Sequence, residues 1–435
     1  MPESALEQLH AREFFGIKLG LDNMRALVAP LGHPDRAYAS LIIAGTNGKG
    51  SVTAMVDRAL RAAGHRVGRY TSPHLVRLEE RFAIDGEPIA TEKLEAVTAD
   101  VLAVDAAAQA DGRLAAPATF FELTTAIALE LFRREGVSLA VLEVGLGGRF
   151  DATNIVTPIV AAITSIDLDH MKHLGDTIAD IAFEKAGVIK PRTPVVVGDL
   201  QPEAEAVIQR VADAQNATLV HAPEGVAVTG EIVRGAAHVT IETPTRRYGP
   251  VTLALPGRHQ IGNAVVAVRV LEELDTLGMH ASADAVATGL ADVRWRGRLE
   301  RVRVTGGREL LLDAAHNPAG AAALASYLRE VWPAGVPIVF GVMADKDMDR
   351  MLAELAPAAS ELIATAVAMP RAASVDAIAA AASRYLPGRV RAIADPRAAV
   401  DAALAATSDA RPAACIAGSI FLLGALIPYA DTLRE

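Results

Sequence analysis

The chain has 435 residues, a formal net charge of −10, 51% hydrophobic residues and 22% charged ones. That length exceeds one ordinary core and implies two domains, while the composition excludes a disordered chain. The acidic surplus argues against a nucleic-acid binder held by bulk electrostatics, so an anionic ligand must be gripped by local devices.

The first residues, MPESALEQLHAREF, lack an apolar signal core, and no run approaches membrane-spanning length. A single cysteine, Cys415, permits no intramolecular disulfide. The expected compartment is the cytoplasm, without membrane contact.

From 39 to about 200, short apolar runs (SLIIAG, LAVLEVG, IVAAITSI, PVVVGD) alternate with amphipathic stretches at 51–63, 119–134 and 177–190. The pattern predicts parallel strands, buried on both faces and joined by crossover helices. After the first run comes GTNGKGS, residues 45–51. Its glycines let backbone amides converge on phosphate oxygens, the next helix adds its positive end, and Lys49 reaches the terminal phosphates. The spacing departs from the common phosphate-loop pattern: Ile43 holds the first glycine's place, and Gly50 precedes Ser51 where Ser/Thr directly follows Lys.

Ser72 is expected to end the next strand, Glu143 closes an apolar run, and Asp167, Asp169 and His170 follow another. Ligands of parallel sheets bind beyond the carboxyl ends of strands, so these groups are placed beside the phosphates. A hydroxyl, a carboxylate and an imidazole with water suit Mg²⁺. Thr119 and Glu122 have capping-box spacing, and Gly136 is a stop signal. Lys185 shares a helical face with Ile178 and Ile181, and spacing alone reads it as a lysine snorkelling to solvent.

Residues 218–256 read as an antiparallel patch appended to the first domain, followed by a helix from about Gln260. The segment 292–302, DVRWRGRLERV, is the expected linker. Strand–helix alternation restarts at 309, with Asp313 and His316 at a strand's end before Pro318; taken alone they read equally well as a cap and an incidental histidine.

GTNGKGS (45–51), TSPHLVRLEERF (71–82), LEVGLGGRFDATN (142–154), TSIDLDH (164–170), FEKAGVIK (183–190), GRHQIGNA (257–264), WRGRLE (295–300), DAAHNP (313–318) and AGSIFLLG (417–424) occur in this order. Together they resemble the folylpolyglutamate synthase/dihydrofolate synthase family of the Mur-ligase superfamily, over nearly the whole chain. The resemblance implies a P-loop, Mur-ligase-like α/β domain with a mostly parallel sheet over 1–297, and a smaller Rossmann-like α/β glutamate-ligase domain over 298–435. It implies ATP and Mg²⁺ as cofactors and dihydropteroate or folate and L-glutamate as substrates; a monomer is expected, though no sequence feature fixes the oligomeric state.

Residue by residue, it places Thr46, Asn47, Gly48, Lys49, Gly50 and Ser51 on the phosphates. Asn263, Arg298, Asp313 and His316 would hold ATP, and Ser72, Glu143 and His170 the metal. Thr119, Phe121 and Asp151 fall on the pterin side. Lys49, Lys185 and His316 carry catalytic roles, Lys185 as a CO₂ adduct, which reverses the reading from spacing. Residues 17–27, IKLGLDNMRAL, resemble a loop covering the pterin pocket. Two departures stand out. Arg296 occupies a place that is usually proline, and Ala314 one that is usually glycine. The alternatives weighed are another Mur-type ligase acting on a cell-wall precursor and a non-catalytic nucleotide switch.

Overall fold

A computed structural model describes residues 4–15, 20–114 and 116–435. Positions 17–19 of the stretch compared with a pocket-covering loop lie outside the described residues. From Asp22 that stretch is a helix, Asp22–Val28, which buries Met24, Leu27 and Val28.

The chain divides into two compact units. The first comprises Met1–Val228, Thr240–Gly249 and Gly262–Val293; the second comprises Thr229–Val239, Pro250–Ile261 and Arg294–Glu435. The first is built on eight strands: β1 (Ala39–Ala44), β2 (Val67–Tyr70), β3 (Phe82–Ile84), β4 (Glu87–Pro88), β5 (Leu139–Glu143), β6 (Val160–Ile163), β7 (Val195–Val197) and β8 (Leu219–His221). Their spatial order is β4-β3-β2-β5-β1-β6-β7-β8. From β2 to β8 every pairing is parallel, and the β2–β3 and β3–β4 pairings at one edge are antiparallel. All of β5, and β1 from Ser40 on, is buried, as the uninterrupted apolar runs require.

The expected helix at 51–63 is Lys49–Ala62 and that at 119–134 is Phe120–Arg134. The helix expected over 177–190 stops at Ala186. Gly187 follows, and a Cβ there would stand 2.2 Å from Arg149 Cβ, so the chain turns where another segment presses on it.

Three strands, β9 (Ala227–Val233), β10 (Ala236–Glu242) and β11 (Arg247–Thr252), form their own sheet in the order β11-β10-β9. Arg234 (φ 49°) and Gly235 (φ 80°) are both left-handed, as a two-residue hairpin turn requires. This patch is not wholly an appendage of the first unit, because 229–239 and 250–261 group with the second. A Cβ on Gly235 would lie 2.4 Å from the Tyr327 ring, so the turn sits against the helix Pro318–Val331.

In the second unit, β12 (Glu300–Val304), β13 (Arg308–Leu312), β14 (Val336–Phe340), β15 (Ala359–Ala364), β16 (Val390–Ala392) and β17 (Ala413–Ala417) order as β12-β13-β17-β14-β15-β16. Only β12 is antiparallel to its neighbour. Its core joins β13, β14, β15 and β17 to Leu324, Leu328, Met351, Leu355 and Ile378. Among the described residues no helix is long and apolar enough to cross a membrane.

Candidate functional site

Four neighbouring parallel strands of the first unit, β2, β5, β1 and β6, end at one rim of the sheet. Ser72 lies two residues past β2, Glu143 ends β5, Gly45 follows β1, and Thr164 to His170 follow β6. The register pairs Ile43 with Glu143 and Ala44 with Ile163, which keeps these tips level. The topology therefore brings these strand tips to one rim of the sheet.

The loop after β1 is held in shape by hydroxyls that follow β6. Thr46 N–H donates to the Ser165 carbonyl (2.8 Å), Asn47 N–H to Ser165 Oγ (3.0 Å), and Thr164 Oγ1 to the Asn47 carbonyl (2.6 Å). The Thr46 hydroxyl bonds both backbone groups of Asp167, and Asn47 Nδ2 reaches Asp167 Oδ2 at 3.4 Å. Thr164 and Ser165 were not singled out in the sequence. Their signal is two hydroxyls directly after a buried strand.

Gly48 caps the helix Lys49–Ala62 in the left-handed region (φ 86°) without a side-chain cap. A Cβ there would lie 2.4 Å from Asn263 Oδ1. The Asn263 amide therefore overhangs the loop, joining two residues 215 positions apart in the sequence (263 − 48). Amides of a first helical turn have no intrahelical acceptor and, with the helix dipole, favour an anion.

Lys49 Nζ donates to the carbonyls of Gly45 (3.0 Å) and Thr46 (3.2 Å). Lys185 Nζ donates to the same Gly45 carbonyl at 2.9 Å. Lys185 is only 4% exposed, so it does not snorkel. The helix Ile178–Ala186 carries it under the loop instead of toward water. Burial first, then the Lys49 charge, pulls its pKa down to about 7, against the opposing pull of Asp169, Asp151 and Asp167.

Ser72 N–H donates to Glu143 Oε2 at 3.4 Å, so two of the three proposed metal ligands meet. His170 is left-handed (φ 52°) at the start of the short helix Met171–Leu174, with Nε2 3.9 Å from Asp169 Oδ2. Among the described residues no three His, Cys, Asp or Glu side chains gather as a self-sufficient metal centre. The Ser72–Glu143 pair offers oxygen donors, which fits a hard divalent cation that keeps water and phosphate oxygens as its other ligands.

Thr119 caps the helix Phe120–Arg134 in the expected capping box with Glu122, whose Oε2 also takes Asn23 Nδ2 at 3.2 Å. Phe121 lies over Gly145, where a Cβ would be 2.5 Å from its ring, and its centroid is 6.1 Å from that of Tyr70. Asp151 is buried, and burial raises its pKa. Its carboxylate accepts the amides of Leu146 (2.8 Å) and Thr153 (3.0 Å) and the Thr153 hydroxyl (2.5 Å), so it fixes the 145–153 turn.

In the second unit, Asp313 follows β13 and accepts the amides of Leu299 and Ala315, each at 2.9 Å. Asp313 is not the helix cap; that role belongs to Asn317, whose side chain takes the Gly320 amide. Burial raises the Asp313 pKa, and the Arg298 charge opposes the rise. His316 Nδ1–H donates to the Ala314 carbonyl at 2.9 Å, which fixes the orientation of the ring.

Residues 43–271 match the family described as "Mur ligase middle domain", and residues 297–420 match "Mur ligase, glutamate ligase domain". The chain is 39% identical over 417 residues to a dihydrofolate synthase/folylpolyglutamate synthase of Mycobacterium tuberculosis, covering 92% of this chain and 85% of the relative. The solved Mycobacterium tuberculosis folylpolyglutamate synthase complexed with ADP superposes with a TM-score of 0.92 at 36% identity, over 99% of this chain and 98% of that one. A bifunctional folylpolyglutamate synthase/dihydrofolate synthase with Mn, AMPPNP and L-glutamate bound gives 0.85 at 30% identity, over 99% and 98%. The chain belongs to the Mur ligase family, in its dihydrofolate synthase/folylpolyglutamate synthase branch.

Proposed function

We propose that this chain is an ATP-dependent ligase that joins L-glutamate to dihydropteroate and adds further glutamates to reduced folates. One observation carries the reading: Lys49 and a buried Lys185 converge on the Gly45 carbonyl at the tip of β1, at the same rim as Ser72 and Glu143. Support comes from relatives solved with ADP, or with Mn, AMPPNP and L-glutamate.

A free carboxylate is a poor electrophile, so the ligation runs in two steps. An acceptor carboxylate oxygen attacks the γ-phosphorus of ATP; that O–P bond forms, the bond to ADP breaks, and an acyl phosphate results. The glutamate nitrogen then attacks the acyl carbon. The C–N bond forms, the C–O bond to phosphate breaks, and the nitrogen loses a proton. Gly48, Gly50 and Ser51 present backbone amides to the phosphates, and Thr46 and Asn47 hold the loop that carries them. Lys49 neutralises charge on the transferred group. Magnesium, when bound, supplies further neutralisation, and Ser72, Glu143 and His170 are the residues proposed to hold it. With a pKa of about 7, roughly half of Lys185 is in the amine form near neutral pH, far more than for an ordinary lysine. The lone pair can take up CO₂, with loss of a proton, and the resulting anion balances Lys49.

Thr119 and Phe121 are assigned to the pterin side, and Asp151 to keeping the adjoining turn in place. Asn263, Arg298, Asp313 and His316 are assigned to the nucleotide. The proposal includes a monomeric, cytoplasmic chain; light scattering is expected to give the mass of one protomer, and a dimer mass would refute the monomer. The test of function is ADP release that requires both dihydropteroate and glutamate. Release with neither would favour a nucleotide switch, and dependence on another acceptor would favour a cell-wall ligase.

A further inference from the structure

Arg298 sits in a turn that the chain pins from several directions. The residue before it, Gly297, is left-handed (φ 68°), and so is the residue after it, Leu299 (φ 50°). A buried leucine adopts that conformation only where its surroundings impose it. Here the imposition is visible. The Leu299 amide donates to Asp313 Oδ2 (2.9 Å), the Gly297 carbonyl accepts the Ala314 amide (2.9 Å), and the Gly297 amide donates to Glu300 Oε2 (3.1 Å).

The remaining restraint comes from far along the chain. Arg296 forks onto Glu300, with Nε 3.1 Å and Nη2 3.0 Å from Oε1. It also forks onto Asp431, with Nη1 2.9 Å from Oδ2 and Nη2 2.8 Å from Oδ1. Asp431 lies in the last turn of the helix Ile420–Thr432. Arg434 closes the set, 3.2 Å from Asp431 Oδ1 and 3.5 Å from Glu300 Oε1. A guanidinium satisfying two carboxylates through paired N–H bonds fixes an orientation that a single ammonium point charge cannot.

We infer that Arg296, through Glu300 and Asp431, is a positioning residue that sets the reach of Arg298 toward the nucleotide. This rests on the reading of Arg298 as a nucleotide-side residue. The clamp takes the place of backbone stiffness at this position, so its effect depends on ionic strength. Its carboxylates are partly solvated, with 19% side-chain exposure at Glu300 and 39% at Asp431, and salt screens such pairs.

The test uses full-length Arg296→Ala, Asp431→Ala, the double variant and Arg298→Ala. At low salt each clamp variant is expected to raise the KM for ATP about three- to ten-fold with kcat little changed. The double variant should be no worse than either single, because both cut the same link. The ratio of variant to wild-type KM should fall toward one as NaCl is added. Amide hydrogen exchange at 297–299 should speed up in Arg296→Ala. Unchanged exchange there, or additive effects in the double variant, would overturn the inference. Faster exchange with an Arg298→Ala variant whose KM for ATP is normal would keep the clamp but refute the nucleotide-side reading of Arg298.

Discussion

Replacing Lys185 with methionine should abolish ligation and, at mildly acid pH, make the protein more stable. The Lys185 pKa falls from 10.5 to about 7. That difference of about 3.5 units corresponds to about 5 kcal/mol of penalty for carrying the proton in the folded state. Below pH 7 the amine is protonated in both folded and unfolded chains, and the whole penalty is present. Between about pH 7 and 10.5 the unfolded chain binds the extra proton and the folded one does not, so wild-type stability rises with pH. Methionine fills a similar volume and carries no charge. Against its gain stands the loss of the bond to the Gly45 carbonyl, about 1–2 kcal/mol net, and that carbonyl keeps Lys49 as a donor. The variant should therefore exceed wild type by about 3–4 kcal/mol at pH 6, and the gap should close by about pH 10. Urea unfolding at pH 6, 8 and 10 in CO₂-free buffer measures it. A variant less stable than wild type by a constant amount at every pH would refute the reasoning.

Gly48→Ala forces a Cβ into the left-handed region and within 2.4 Å of Asn263 Oδ1. The backbone term is about 1–2 kcal/mol, and the amide must swing away, so calorimetry should show a modest loss of Tm and nucleotide titration a large loss of affinity. Glu143→Gln keeps the shape at the tip of β5 but removes the carboxylate charge beside Ser72. Its magnesium requirement should shift to at least tenfold higher concentration at an unchanged Tm, read from activity against Mg²⁺. Thr119→Ala removes the cap that accepts the Glu122 amide and should cost about 1 kcal/mol in urea unfolding.

The parallel sheet was legible where β5, β1, β6 and β7 fall in apolar runs, whereas β2 carries Arg69 and was marked only by Ser72 beyond its end. Thr119 and Glu122 carried their cap in local spacing and formed it. Lys185 was not legible from the residues alone. Periodicity gives its helical face, but burial depends on the β1 loop coming over it, a contact across 140 residues. The same distance problem hides the Arg296–Asp431 pair, 135 residues apart. The helix stops at Ala186 with Gly187 at its C-cap, pressed by Arg149; that glycine is a local stop signal which the 177–190 expectation ran past. The split of the three-stranded sheet between units was missed because turn residues announce a hairpin but not what it packs on.

The ligation chemistry can be tested by labelling both oxygens of the acceptor carboxylate with ¹⁸O and recovering the inorganic phosphate after one turnover with ATP and glutamate. Transfer of phosphate to the carboxylate, as the Lys49 loop is proposed to promote, predicts one ¹⁸O in each phosphate released. Unlabelled phosphate would contradict it, because the acceptor carboxylate would then never have been joined to phosphorus.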